Sequence, residues 1–291
     1  MEINMRYIDL HVHSNCSDGT LTPEELVLRG IKNDLVAFAL TDHDTVNGVA
    51  RAVKKAAELD NHIQVIPGVE LSCQYDVSPD RNVEIHILGY QIDYTNETLL
   101  TTLQKVAKER DNRNKKMCDN LQKAGYPISY EELTEKFGNL IITRAHFAKL
   151  LLENGGVPSM DHAFHTCLAI DSPYFVNREY LTPKNAIALI QSAGGIPVLA
   201  HPLLYKMSVS EIRTMLDTLK SYGIRGIEAI YSRNHGTDEA FVRKLADEYE
   251  LFITGGSDFH GSNKPDIEMG TGTGNLRIPV MLLENLRTTS A

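Results

Sequence analysis

Apolar and polar positions along the chain alternate in blocks. Short apolar runs occur at Tyr7–Val12, Leu35–Leu40, Ile63–Pro67, Glu84–Tyr90, Ile196–Ala200, Gly226–Tyr231 and Leu251–Thr254. Runs of this length bounded by turn residues predict buried strands. Between most of them the period lengthens to that of an amphipathic helix, at Pro23–Asn33, Asn47–Leu59, Pro183–Ser192, Ser210–Tyr222 and Asp238–Tyr249. Several of these segments open on capping residues: Thr22-Pro23 with Glu25, Thr182-Pro183, and Ser208 with Glu211. Strand–helix alternation predicts an α/β fold, a parallel sheet with helices outside. Seven such strands point to a (β/α)7 barrel, one strand short of the usual eight. An open doubly wound sheet is the alternative.

One stretch departs from this rhythm. From about Asn96 to about Leu181 no strand pattern recurs, and Glu97–Lys123, Tyr130–Phe137 and Arg144–Glu153 follow helical periods. The pattern divides the chain into a barrel domain, 1–95 with 182–291, and a helical insertion, 96–181. The polarity of the insertion predicts a cap or lid rather than an independent core.

The apolar runs carry the candidate chemistry. In Tyr7-Ile8-Asp9-Leu10-His11-Val12-His13, side chains at i and i+2 share a face, so His11 and His13 can reach one metal ion. The following loop adds Asp18 beside Gly19. The second run ends Thr41-Asp42-His43-Asp44, the third Pro67-Gly68-Val69-Glu70, the fifth Ala200-His201-Pro202 and the seventh Gly255-Gly256-Ser257-Asp258-Phe259-His260. The fourth contains His86. Six of seven strands thus place His, Asp or Glu in or at the C-terminal end of an apolar run, where barrel active sites form. Burying Glu70 or His86 there is costly without a partner or a metal. Six histidines and three carboxylates suit Zn, Mn or Fe and argue against Ca or a pure Mg site. Nine groups exceed the needs of one ion and predict two or three divalent ions. Three such ions against three carboxylates leave about three positive charges, a fit for hydroxide plus a phosphate dianion.

Composition narrows the class. With 38 acidic against 29 basic residues the net charge is -9, which argues against a protein that coats long nucleic acid. A small anionic substrate remains compatible. No apolar run is long enough for a membrane span, and the opening MEINMRYIDLHVHS lacks the pattern of a signal peptide. Cys16, Cys73, Cys118 and Cys167 fit no CxxC spacing and read as free thiols, so a cytoplasmic enzyme is expected. His62, His162 and His165 fit no motif and are expected to be structural or on the surface. Gly194-Gly195 reads as a helix C-cap.

Taken in order, HVHSNCSDGT, LTDHDT, IPGVELS, EIHILGY, VLAHP and GSDFHG resemble the PHP (polymerase and histidinol phosphatase) family. The resemblance covers the chain outside the helical segment. It implies a distorted seven-stranded barrel with a di- or trinuclear centre that hydrolyses phosphate esters by hydroxide generated at the metals. Carried over, one ion would take His11, His13, Glu70 and Asp258. A second would share Glu70 and take His86 and His201, and a third Asp18, His43 and His260. The insertion resembles the branch that acts on nucleoside mono- or bisphosphates or trims short oligonucleotides from the 5′ end. There Ile142-Thr143-Arg144-Ala145-His146 is similar to an Arg-x-His motif, and Arg144 would hold phosphate oxygens. Ser232 and His235, after the sixth strand, would also bind substrate. Glu70, Asp258 and His235 carry the catalytic roles, with His235 able to protonate a leaving oxygen. A histidinol-phosphate-type phosphatase and a non-catalytic metal-binding module are the alternatives. Oligomeric state is not legible.

Overall fold

The computed structural model describes residues 6–138, 141–176 and 181–287. Its contacts divide the chain into two compact units, Met1–Thr101 with Tyr180–Ala291, and Thr102–Glu179.

The first unit is a seven-stranded sheet in the order β1 to β7: β1 Tyr7–Val12, β2 Leu35–Leu40, β3 Gln64–Ser78, β4 Arg81–Tyr90, β5 Ile196–Leu199, β6 Gly226–Tyr231 and β7 Phe252–Gly256. The sheet curls until β1 meets the segment after β7. There His13 N donates to the Phe259 carbonyl at 3.0 Å and Asp258 N to the His11 carbonyl at 2.8 Å. The result is a nearly closed, distorted barrel. Helices α1 (Pro23–Lys32) and α2 (Val49–Glu58) link its first three strands. The Thr22–Glu25 capping box starts α1 as its sequence predicts.

The expectation of an all-parallel sheet is corrected at β4. This strand runs antiparallel to both β3 and β5, while the other neighbouring strands pair in parallel. Only Pro79 and Asp80 separate β3 from β4. Two residues suffice for a hairpin and fall far short of a parallel crossover, which takes a dozen or so. The third strand also runs well past Pro67, to Ser78. These two changes set the site. Glu70 lies in the middle of β3, and His86 reaches the level of the β5 end from the middle of β4, where its carbonyl accepts Ala200 N at 3.1 Å.

The second unit contains most of α3 (Glu97–Lys123), then α4 (Tyr130–Phe137), α5 (Arg144–Glu153) and α6 (Met160–His165). It has its own apolar core, which includes Met117, Leu121, Leu133, Phe147, Leu151 and Leu168. The expectation that polarity precluded an independent core therefore fails. Met117, Cys118 and Leu121 of α3 share this core with Leu133 of α4, Phe147, Leu150 and Leu151 of α5 and Ala163 of α6. Back in the barrel unit follow α7 (Pro183–Ser192), α8 (Val209–Tyr222), α9 (Asp238–Glu248) and the short α10 (Glu284–Arg287). Gly194, at φ 70°, ends α7, with Gly195 N bonded to the Ile190 carbonyl at 2.9 Å. Among the described residues no helix is long and apolar enough to cross a membrane.

Candidate metal centre

Glu70 is the hub of the barrel mouth and is 1% exposed. Its Oε1 lies 2.9 Å from His86 Nδ1 and 3.0 Å from His201 Nε2. Its Oε2 lies 3.1 Å from His43 Nδ1, 3.2 Å from His13 Nε2 and 3.3 Å from His11 Nε2. Asp18 faces His260 Nε2 at 3.2 Å and His13 Nδ1 at 3.7 Å. Asp258 Oδ1 lies 3.3 Å from His260 Nδ1 and 3.5 Å from His13 Nε2. All nine groups singled out in the sequence therefore meet at one place, supplied by six strands or their ends.

Close approach has local causes. Gly256 lies so near β1 that an added Cβ would meet His11 Cβ at 2.1 Å. A Cβ on Gly19 would strike the His13 carbonyl at 2.3 Å, so only glycine lets the Asp18 loop fold back on the strand end. His201 (φ 24°) and Asp258 (φ 58°) hold left-handed conformations as their strands end. Such strain persists where surrounding structure over-determines it.

Several polar residues that the sequence reading passed over pin this arrangement. Asp42 accepts from Ser14 N (2.8 Å), Ser14 Oγ (2.6 Å) and Ser17 Oγ (2.6 Å), fixing the loop between His13 and Asp18. Asp44 accepts Ser72 N at 3.0 Å. Glu228, fully buried in β6, lies 3.0 Å from His11 Nδ1 and accepts His201 N at 2.9 Å. Tyr231 and Lys264 donate to Asp258 Oδ2 at 2.8 and 2.7 Å. The one available signal was cost: an acidic residue inside an apolar strand needs a partner.

The electrostatics are those of a compressed cluster. Burial opposes charge on Glu70, but His43, His86 and His11 outweigh it and hold the carboxyl well below its ordinary range. Asp18 is likewise held low against burial, by His260 and His43. Burial also opposes charge on His86, yet Glu70 pushes its pKa up to about 10. For His13 burial prevails, aided by the charge of His260, and its pKa falls well below the usual imidazole value.

The donor set fits divalent metal ions. His11 Nε2, both ring nitrogens of His13, His43 Nδ1, His201 Nδ1 and Glu70 Oε2 are buried without a hydrogen-bond partner. Such orphaned atoms are rare in native interiors, and several of these face one another across the Glu70 carboxylate. Three sets place one donor atom per residue within 4.8 Å of every other: His13, Asp18, His43 and His260; His11, His13 and Glu70; and His43, Glu70 and His86.

The sequence profile of the PHP domain matches residues 9–170, more than half of the chain. The chain belongs to the PHP family. Among its PHP relatives, a 5′-3′ exoribonuclease of Haemophilus influenzae is 34% identical over 252 residues, 87% of this chain and 89% of that protein. A 3′,5′-nucleoside bisphosphate phosphatase of Chromobacterium violaceum is 34% identical over 268 residues, 91% of both chains. The crystal structure of a protein assigned as a metal-dependent phosphoesterase from Bifidobacterium adolescentis superposes with a TM-score of 0.84 at 26% identity, covering 98% of this chain and 97% of that one.

Ser232 is fully buried and its hydroxyl donates to the Ser257 carbonyl at 2.6 Å, so it has no surface to offer a substrate and instead fixes the turn after β6. His235 is exposed in the loop before α9, and its backbone N–H donates to Asp238 at 2.8 Å. Arg144 is the first residue of α5, half-buried, with its guanidinium 5.9 Å from the Phe175 ring centroid. His146 closes a capping box at 3.0 Å from Thr143 N and packs on Phe137. His62, His162 and His165 are exposed.

Proposed function

We propose that this chain hydrolyses phosphate esters of nucleotides or short oligonucleotides, using two or three divalent ions of the Mn, Fe or Zn class. The observation that carries the reading is the closure of six imidazoles and three carboxylates around Glu70, with buried donor atoms left unpartnered. A neutral imidazole has one lone pair, so His13 and His43 can each serve only one ion although each falls in two of the geometric sets. The partition that the family resemblance implies obeys that constraint: His11, His13, Glu70 and Asp258; Glu70, His86 and His201; and Asp18, His43 and His260. When bound, such ions acidify water and offset charge on phosphoryl oxygens.

The protein's own groups do the rest. Glu70 and Asp258 balance positive charge, and Asp42 and Glu228 keep the ligands in place. Arg144 would donate two parallel N–H bonds to substrate phosphate. His235, exposed near the end of β6, would hold a proton for the leaving oxygen. The nucleotide class rests on the likeness to the exoribonuclease and the bisphosphate phosphatase. The net charge of -9 argues against long nucleic acid as substrate. The four free thiols support a reducing, cytoplasmic setting.

The test is phosphate release from AMP, a 3′,5′-bisphosphate, a dinucleotide and histidinol phosphate. Turnover of one or more of the first three, exceeding that of histidinol phosphate, is expected. Turnover of histidinol phosphate alone would reassign the substrate, and turnover of none would leave a metal-binding module.

A further inference from the structure

We infer that Glu228 sets the tautomer of His11 and seats His201, and is thereby a positioning residue for the metal centre. The inference rests on the cluster being a metal centre. Glu228 sits within β6, paired in register with Thr254, and is 0% exposed. Its two oxygens serve two different strand ends. Oε1 lies 3.0 Å from His11 Nδ1 at the end of β1, and Oε2 accepts the His201 backbone N–H at 2.9 Å just past β5. No Lys or Arg pairs with it among the described residues. A carboxylate only accepts, so it requires an N–H at His11 Nδ1. A neutral His11 then carries its lone pair on Nε2, the atom that faces Glu70 (3.3 Å) and Asp258 (3.7 Å). The same carboxylate holds the backbone of His201, whose φ of 24° would otherwise relax.

A carboxamide cannot do both. Glu228→Gln keeps volume but offers one acceptor and one donor to two N–H groups. Either the His201 N–H loses its acceptor, or His11 adopts the other tautomer, with a proton on Nε2 and no lone pair toward the cluster. Glu228→Asp keeps two acceptors on a shorter stem and should restore part of what Gln loses.

The experiment is Zn²⁺ titration against a chromophoric chelator, on protein first stripped by chelation, with circular dichroism to confirm the fold of each variant. Loss of one ligand's outer partner is expected to weaken the affected site by about 10–100-fold. Glu228→Asp should lie between wild type and Gln. With His11 removed, the single Gln oxygen is free to accept the His201 N–H, so adding Glu228→Gln to His11→Ala should cost much less than it does alone. Wild-type protein that takes up no Zn²⁺ would overturn the metal centre and this role together. Equal affinity of wild type and Glu228→Gln would overturn this role alone, as would a full additional loss in the double variant, which marks a general structural effect. Should Glu228→Gln not fold, Glu228→Asp with wild-type affinity in both backgrounds is the overturning result.

Discussion

The strand-borne histidines of the barrel and the histidines of the helical unit meet opposite fates. In the barrel, His11 and His201 lie far apart in sequence yet stack with ring centroids 5.6 Å apart, and His13 and His260 come within 4.0 Å. In the helical unit, His146 caps its own helix, and His162 and His165 are exposed, the latter beside Asp161 one turn away. Strand ends arranged in a ring bring distant residues to one point, whereas a helix presents each residue mainly to its own neighbouring turns. Position on the fold, more than residue type, decides which imidazole can share an ion.

The largest test of that contrast is Glu70→Gln. Five imidazoles face this carboxylate, and its loss should lower kcat/KM on the best substrate on the order of a thousandfold or more and reduce bound metal. Wild-type metal content with full activity would remove Glu70 from the centre. Next in size is Arg144, the functional residue proposed in the helical unit. Arg144→Ala and Arg144→Lys should each cost about a hundredfold in kcat/KM, because Lys cannot make the paired N–H contact, while metal content stays unchanged. Unaltered kinetics in both would make Arg144 an ordinary surface residue.

A third test concerns protons. Burial notwithstanding, Glu228 and Glu70 hold His11 well above the usual imidazole value, and Glu70 pushes His86 to about 10. Ligation needs the neutral ring, so chelator-stripped protein must shed these protons to take up metal. Affinity should therefore rise with pH between roughly pH 6 and 9, by up to about tenfold per pH unit for each proton displaced. Calorimetry in buffers of different ionisation enthalpy would show the release; uptake without it would mean the rings are already neutral. The smallest effect is expected for the double change His162→Ala with His165→Ala. Stability should move by less than about 0.5 kcal/mol and metal content not at all. A lost metal equivalent would place these exposed residues at a site after all.

Much of this was legible beforehand, for identifiable reasons. Alternating faces placed His11 and His13 together, and the coincidence of acids and histidines at strand ends marked the mouth. Helix limits such as Tyr130–Phe137 and Pro183–Ser192 follow directly from caps and periodicity. The antiparallel β4 is not legible because the sixteen residues between Ile63–Pro67 and Glu84–Tyr90 leave room for a parallel crossover; in the structure β3 runs on through them to Ser78 and leaves only Pro79 and Asp80. Glu228 was hidden inside a run read as apolar, Gly226–Tyr231, and no local pattern says which buried acid has a partner. The core of the helical unit depends on pairing α3 with α5 and α6, a tertiary choice that the polar average of the segment conceals.

The most direct measurement is metal content per folded chain by mass spectrometry of the purified protein, followed by phosphate release before chelation, after it, and after adding back Mn²⁺, Fe²⁺ or Zn²⁺. Two or three equivalents, with activity lost on stripping and regained on reloading, are expected. Full activity in protein holding less than one equivalent would contradict a polynuclear centre at the barrel mouth.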